Sequence, residues 1–542
     1  MDMGMRRDVG MSGDADSGGD ADAGGGVESG GEQVVVVGAG PVGLWLAAEL
    51  RLGGASVTVL ETREERNPHS KALTVHPRTL EILASRGVAE AFLAEGGRIP
   101  SGHFGGLTDR MDFGALDTPY PFTLALPQAR TEELLEEYAL SAGARIRRGH
   151  RVTGLLRQRD SVSVRAEGPE GPYELRAAYV VGCDGTRSVV RDAAGIDFPG
   201  TDVTTWGWLG DVVLDSPPEG PGLNVSTIEG GLMAVPLPGG IHRFVGIARD
   251  DVRAEPPGAL TLEELRAKVV RIAGDDFGMR DPVWLSRFGN ATRQAARYRS
   301  GRVLLAGDAA HMHFPTGGVG LNVGVQDATN LGWKLAAVVA GGAPGSLLDS
   351  YHDERHPVGA DLLESTRAQT ALMTAFTPEG QALRAVLSTL IATRPEFSRD
   401  LAERVSGLAV AYPPEPPVPG HSLTGRRAPD LALAGGDGGP GTGLFALLRN
   451  GRHVLLDLTG DLTGDLTGDL TGGSTGEWDR LAAAPVRRLT VHSAPLSAPH
   501  PDWSGVRAAL IRPDGHVAWA SAEPDDEALL GAVREALAAV PH

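Results

Sequence analysis

The run VVVVGAGPVGLWLAAELRLGGASVTVLE, residues 34–61, decides the fold. Four consecutive valines have the unbroken apolar character of a strand buried on both faces. Gly38, Gly40 and Gly43 follow in G-x-G-x-x-G spacing, residues 41–52 carry Leu44, Ala47 and Ala48 at helical intervals, and residues 57–60 make a second strand ending at Glu61. Each part has a task in binding a dinucleotide. Gly38 permits the tight turn, Gly40 lets the backbone approach a pyrophosphate, and Gly43 lets helix and strand pack closely. The helix N-terminus offers unpaired N–H groups to the phosphates. Glu61, 18 residues beyond Gly43, is placed to accept hydrogen bonds from a ribose diol.

Outward from this unit, the chain has 542 residues, 41% of them hydrophobic, enough for several domains with a large buried core. The formal net charge is −19, but residues 1–32 hold eight carboxylates against Arg6 and Arg7, so −6 of it belongs to the tail. That Gly-, Asp- and Ser-rich tail is expected to be disordered, because it has too few apolar residues to offset its ordering entropy. No clustered basic patch points to nucleic acid. No run has the length of a membrane span or resembles the apolar core of a secretory signal, so a soluble, cytoplasmic protein is expected. Cys183 is the only cysteine, which excludes intrachain disulfides, dithiol redox chemistry and a cysteine metal cluster.

Residues 33–195 and 296–411 read as one α/β domain with a helical extension. It has helices near 78–86 and 131–142, three strands with a Gly/Pro hairpin at 168–172, and a buried strand in RVLLAGD (302–308). A long helix over 325–339 and helical text to about 408 complete it. Residues 196–295 alternate apolar residues with Pro and Gly, which predicts a mainly antiparallel, substrate-binding sheet with one helix at 261–273. The Pro-rich YPPEPPVPG, 412–420, marks a boundary. Beyond it, 421–542 reads as a small thioredoxin-like layer without cysteines: strands HVLLDL and RLTVHSA, a hairpin turning at Pro513–Gly515, and an amphipathic helix over 525–540. The unit DLTG recurs four times over 457–472 and reads as expansion inside a surface loop, since a four-residue period is too short for calcium-repeat geometry.

Two later strand ends also carry acidic turns, VVGCDGTRSVVR (180–191) and RVLLAGDAAH (302–311). Three fingerprints therefore occur in order: GxGxxG, a D-G motif with a downstream arginine (Asp184, Gly185, Arg191), and a G-D motif (Gly307, Asp308). In these the sequence resembles the single-component flavoprotein aromatic hydroxylases, the group of para-hydroxybenzoate and phenol hydroxylase. The resemblance covers about residues 33–410, and a cysteine-free thioredoxin-like C-terminal domain fits the phenol hydroxylase branch. Stretches such as GHFGGL (102–107), RAAYVVGCDG (176–185), FGNATRQ (288–294) and LDSYHDERHPVG (348–359) are similar to the bacterial hydroxylases of aromatic polyketide pathways.

The resemblance implies FAD as cofactor, NADPH or NADH as transient reductant, and O2 with a polycyclic aromatic polyketide as substrates. It implies that Asp308 grips the ribityl chain and Glu61 the adenosine ribose. Lys71 stands where the family often has an arginine beside the pyrophosphate, Gln128 matches a glutamine near the ribityl and flavin, and Val152 sits where the chain passes the adenine. Asp184 is left between cofactor binding and bracing of its own loop. After Pro315, the glycines Gly317, Gly318 and Gly320, with Leu321 and Asn322, lead into the long helix. Their amides are expected to face the isoalloxazine and stabilise the anionic reduced ring. Val319 stands where the family usually has glutamine.

The substrate is expected between the flavin and the middle sheet, with His103, Phe104, Trp206, Met233 and Phe244 as candidate lining residues. His311 is expected to bond backbone at a helix end, and His313 is the nearer candidate for contact with substrate or flavin. The same resemblance implies oxygen transfer through a flavin C4a-hydroperoxide, chemistry that asks the protein to position an electron-rich ring and exclude water. No Ser-His-Asp or metal constellation is required, and no metal site is expected. The lack of a second GxGxxG after residue 60 argues against disulfide-reductase-type flavoenzymes and two-Rossmann Baeyer–Villiger monooxygenases. Two other readings stay open: Baeyer–Villiger-type ring cleavage on this same scaffold, and a non-catalytic flavin- or ligand-binding accessory protein. A monomer and a homodimer fit equally.

Overall fold

The structure, a computed structural model, describes residues 32–220, 222–413, 421–435, 441–460 and 489–538. The tail before Glu32, residues 414–420 of the Pro-rich linker and residues 461–472 of the DLTG repeat lie outside the described residues.

Glu32–Val37 is the strand expected of the valines, and Val34, Val35 and Val36 are wholly buried. It is central because a strand apolar on both faces must be covered on both. Its parallel neighbours are Val57–Glu61 on one side and Gly171–Gly182 on the other. Arg145–Arg148 and Val303–Leu305 extend the sheet in the two directions, again parallel. The chain thus builds one way from the first strand and later the other way, which opens a crevice at the carboxyl ends of Glu32–Val37 and Gly171–Gly182.

Helix Pro41–Leu52 starts in that crevice, with a proline in its first turn, where the missing N–H costs nothing. A Cβ on Gly43 would lie 2.0 Å from the Gly38 carbonyl oxygen, so only glycine lets this helix start so close to its strand. The helix packs across the long helix Val319–Val339, and the Trp45 indole donates to Thr329 Oγ1 at 2.8 Å. The long helix begins at Val319, well before the expected residue 325. Gly320 and Gly324 are poor helix formers, but a Cβ on Gly324 would sit 2.5 Å from the Val42 side chain. Close packing against Pro41–Leu52 overrides propensity there.

The middle region is a five-stranded antiparallel sheet with helix Leu262–Ala273 on one face. Trp208, Val212, Leu232, Ala234 and Phe244 bury against Leu265 and Val269 on the helix side. On the opposite face Met233, Val245, Leu209 and Ser286 stand in a row, each directly opposite the next. This second face looks toward the α/β domain: Ile247 packs against Phe314 and Phe376.

In the C-terminal region the strand order is Leu489–Ser493, His453–Asp457, Ala508–Ile511, Val517–Ser521. The first pair is parallel and the others antiparallel. Helix Asp526–Ala538 covers one face through Leu529, Val533 and Ala536, and Leu444, Phe445 and Leu448 cover the other. Among the described residues no helix is long and apolar enough to cross a membrane.

Candidate functional site

Three chain turns meet in the crevice. Gly38 follows the first strand, Cys183 and Asp184 follow Gly171–Gly182, and Gly307–Ala309 forms a short 3-10 turn after Val303–Leu305. They pack without slack: a Cβ on Gly38 would lie 2.4 Å from the Cys183 carbonyl oxygen. The geometry of a dinucleotide-binding crevice is thereby complete.

Each expected group has a definite place. Glu61 Oε2 accepts from the Ala39 amide at 2.8 Å and Oε1 from the Arg63 amide at 3.0 Å, so the carboxylate also braces the glycine turn. A carboxylate carries further lone pairs, which leaves capacity for a ribose. Asp308 is exposed, while its neighbours Gly307 and Ala309 are buried. Asp184 Oδ2 accepts from the Val190 amide at 3.1 Å, whereas its Oδ1 is buried without a partner. Burial raises the Asp184 pKa, against hydrogen bonds from Ser188 and Val190 that lower it. Arg191, on the same motif, donates to the Ala309 carbonyl at 3.2 Å and so ties the D-G motif to the G-D turn.

Lys71 is exposed. Gln128 Oε1 accepts from the next amide, Ala72, at 3.0 Å, which brings these two candidates together. Val152 is 5% exposed, so its side chain belongs to the core, and only its main chain is left to face a ligand.

The segment after Pro315 is shaped by Gly317 and Gly318, at φ 65° and 66°. Two successive left-handed residues suit glycine alone, and they aim the first amides of the 21-residue helix out of the turn. The side chain of Asn322 locks that helix start in place. Its Oδ1 accepts from the His76 amide at 2.8 Å, and its Nδ2 donates to the Gly318 carbonyl at 2.9 Å and to Thr74 at 3.2 Å. Val319 is 6% exposed and packs with Leu107, Met111 and Leu362. Where a polar residue would reach out, this chain buries an apolar one.

The histidines divide sharply. His311 does not bond backbone; its Nε2 meets Asp327 Oδ2 at 2.7 Å, and both side chains are buried. The sequence expectation fails because the partner lies two turns into the long helix, on a face that only packing defines. Asp327 also accepts from the Gly307 amide at 3.1 Å and from Arg355 Nε at 2.7 Å. Burial would raise its pKa, but Arg355 and His311 outweigh burial and hold it below the usual carboxylate range. His313 donates through Nδ1 to the Phe314 carbonyl at 2.7 Å, and its Nε2 lies 3.1 Å from where a Cβ on Gly320 would be. It therefore stands against the helix start.

Among the candidate lining residues, strand alternation decides. Met233 is on the face that looks toward the crevice, opposite Val245. Phe244 is wholly buried on the helix side, so it is core. Trp206 has the parity of Trp208, which is also on the helix side, so it too leaves the candidate set. The strand text is apolar on both faces, so its sequence could not assign sides. His103 and Phe104 lie in the loop that packs on helix Asp349–Met373, where the Gly105 amide donates to Gln369 at 3.2 Å. Burial lowers the His103 pKa to about 4, with Arg110 adding to it, and its Nδ1 has no partner.

Sequence reading missed His76, Asp327, Arg355 and Gln369. His76 Nδ1 donates to the Val405 carbonyl at 3.0 Å, and burial lowers its pKa to about 4. A Cβ on Gly318 would lie 3.6 Å from its Nε2. The available signals were a histidine before a helix-starting proline and a carboxylate inside an apolar helix.

FAD fits this crevice on three observations. A Cβ at Gly40 would meet nothing within 4 Å, which leaves room for a pyrophosphate. Asp184 Oδ1 is a buried acceptor in want of a donor, and Asp308 presents a carboxylate at the crevice. Comparison with known proteins agrees. The FAD binding domain family matches residues 32–366, and the aromatic-ring hydroxylase C-terminal family matches residues 421–540. The chain is 46% identical over 489 residues to an uncharacterized aromatic compound monooxygenase of Bacillus subtilis, covering 90% of this chain and 94% of that one. It is 43% identical over 512 residues to the 12-dehydrotetracycline 5-monooxygenase/anhydrotetracycline 6-monooxygenase of Streptomyces rimosus, covering 92% and 98%. Against the solved structure of anhydrotetracycline hydroxylase from Streptomyces rimosus the TM-score is 0.81 at 43% identity, over 93% of this chain and 98% of that one.

The fold and site define an FAD-dependent monooxygenase, with NAD(P)H as the reductant general to its kind. More particularly, the chain belongs to the aromatic-ring hydroxylase family of flavoproteins. The accessory-protein reading falls with that assignment.

Proposed function

We propose that this enzyme hydroxylates a polycyclic aromatic polyketide, held between the flavin ring and the inner face of the middle sheet. What carries the reading is the combination of two surfaces, linked where Ile247 of the sheet packs on Phe314 just before the helix start. One is the helix start after Gly317 and Gly318, whose amides suit the anionic edge of a reduced flavin. The other is the row Met233, Val245, Leu209, Ser286, largely apolar and four strands wide. That row lies between two anchors. At one, Arg243 forms a two-point ion pair with Asp211 at 2.7 Å and lies over Trp284, which stacks on His69 at 5.1 Å. At the other, Phe288 meets Phe314 at 5.1 Å. A flat fused-ring substrate suits such a surface, which buries apolar area without asking for many polar partners.

Bound FAD, reduced by NAD(P)H, supplies oxygen activation at its C4a position. The chain's own groups hold and orient. Asp308 and Glu61 would hold the ribityl and ribose hydroxyls, Lys71 would serve the pyrophosphate, and Gln128 would serve the ribityl. The amides from Gly318 to Asn322 steady negative charge on the ring. Ile247, Phe288, Phe314 and Phe376 keep water from one end of the site.

The test is reconstitution of the purified chain with FAD, followed by NADPH and O2 consumption with a panel of polycyclic phenols. Carbon connectivity of the product by NMR separates ring hydroxylation from ring cleavage. The expected result is stoichiometric yellow flavin, substrate-stimulated NADPH oxidation and an intact ring bearing one new hydroxyl. A protein that takes up FAD yet shows no stimulation across the panel overturns the substrate class, and an opened ring overturns the reaction.

A further inference from the structure

The C-terminal domain has no cysteine and no part in the site described so far, yet it meets the α/β domain through buried charges. At its centre is the hairpin turn 512–516. Asp514 is 4% exposed and lies against the long helix, within 3.3 Å of both Asn330 Nδ2 and Trp333 Nε1. Arg512 donates to both oxygens of Glu354 at 2.8 Å, and Lys334 reaches the same carboxylate at 2.8 Å.

Glu354 and Arg355 are consecutive on helix Asp349–Met373, so their side chains leave it about 100° apart and reach different partners. Glu354 is held by the hairpin. Arg355 grips Asp327 at 2.7 Å, and Asp327 in turn takes the Gly307 amide at 3.1 Å and His311 at 2.7 Å. Asp327 thus holds both ends of the segment 307–311 that presents Asp308. A second strand of contact runs beside the first: Arg355 Nη1 lies 3.3 Å from the Tyr412 hydroxyl, and the Tyr412 ring packs on His516 at 4.2 Å and under Arg512 at 5.1 Å.

We propose that the C-terminal domain is a retention clamp for FAD, acting through Arg512, Glu354, Arg355 and Asp327 on the turn that carries Asp308. None of these four is a catalytic residue; each positions the next. In a dry, low-dielectric interior a paired charge has few alternative arrangements, so a hairpin locked on Glu354 fixes Arg355, and Arg355 fixes the Asp327 carboxylate. The inference rests on the reading of Asp308 as the ribityl grip.

The experiment measures FAD dissociation from the full chain by flavin fluorescence, with visible circular dichroism of the bound flavin as a second readout. Arg512→Met and Asp327→Asn are each expected to weaken FAD by about 10-fold, within the usual size of a site-to-site coupling. The double variant is expected to weaken it by much less than the product of the two, as residues acting in one chain do. Tyr412→Phe, which keeps the ring and its packing, is expected to weaken FAD by about 3-fold; it carries the test if Arg512→Met does not yield folded protein. Val533→Ala, in the domain's far core, serves as a control of comparable thermal loss. The proposal is overturned if Val533→Ala loosens FAD as much as the network variants, if the double variant equals the product, or if the network variants leave affinity and dichroism unchanged. The underlying reading of the site is judged on the parent chain: a parent that binds FAD while the variants are silent leaves that reading standing and removes the clamp.

Discussion

The α/β domain is gripped from two sides by different physics. The C-terminal domain meets it through buried charged groups, with arginines of the α/β domain donating to its hairpin carbonyls and an ion pair crossing between the two. Arg86 sits on Glu49 at 2.7 Å and reaches the Pro513 carbonyl, Arg78 bridges Glu81 and the Asp514 carbonyl, and Arg512 holds Glu354. The middle sheet meets it mainly through rings and aliphatic groups, Ile247 and Phe288 with Phe314 and Phe376 and Trp284 with His69, and through Arg243, which is paired with Asp211 inside the sheet and donates to the Ser70 carbonyl. Buried charges tolerate one geometry, because any displacement leaves a charge unpaired at high cost. Apolar contacts are non-directional and tolerate sliding and replacement. On the readings proposed above, the rigid side holds the cofactor turn and the permissive side receives the substrate.

The contrast is sharpest at Arg86. Arg86→Met strands the buried Glu49 and should cost roughly 3–5 kcal/mol in urea denaturation, whereas replacing both partners by methionine should return most of that loss. A single variant costing under ~1 kcal/mol would break the account of the interface as charge-locked.

On the sheet the two faces should respond oppositely. Phe244→Ala opens a cavity under helix Leu262–Ala273 and should cost about 3 kcal/mol, with KM of the folded protein unchanged. Met233→Ala, on the inner face, should cost about 1 kcal/mol or less and shift substrate KM several-fold. Reversed outcomes would put the substrate on the wrong side of the sheet.

Acid should destabilise the fold in two stages. Burial lowers the pKa of His76, His103 and His516 from the ordinary 6.5 to about 4. A folded pKa below the unfolded one means their contribution is full above pH 6.5 and is lost as pH falls toward 4. Glu354 is lowered to about 2, burial being outweighed by Arg512 and Lys334, so its contribution is full above 4.5 and is lost as pH falls toward 2. Melting temperature against pH should fall in both windows, and His516→Gln should flatten the first by a part on the order of 1–3 kcal/mol. The smallest effect is expected at His313. His313→Ala should change turnover by less than about threefold and stability by less than ~0.5 kcal/mol, because its bond goes to the adjacent carbonyl.

Much of this was readable in advance because it is local. The strand, glycine turn, helix and acid of 34–61, the hairpin at Pro513–Gly515 and the helix at 261–273 each follow from neighbours in the chain. Asp308 could be singled out for the same reason: it sits in the G-D turn that follows a buried strand. What escaped was non-local. The long helix starts at Val319 because Val42 makes room only for glycine, His311 finds Asp327 across the turn, and Phe244 turns inward by a parity that apolar strands do not display.

The sequence by itself determined the dinucleotide unit, the order of its fingerprints and the absence of a dithiol, since these depend on residue type and short spacing. Only the tertiary structure decided which carboxylate holds the turn at 307–311 and which buried groups the cysteine-free domain meets. Asp327 meets Gly307 across 20 residues and Arg512 meets Glu354 across 158, and the energy of a buried charge depends on what folding places beside it.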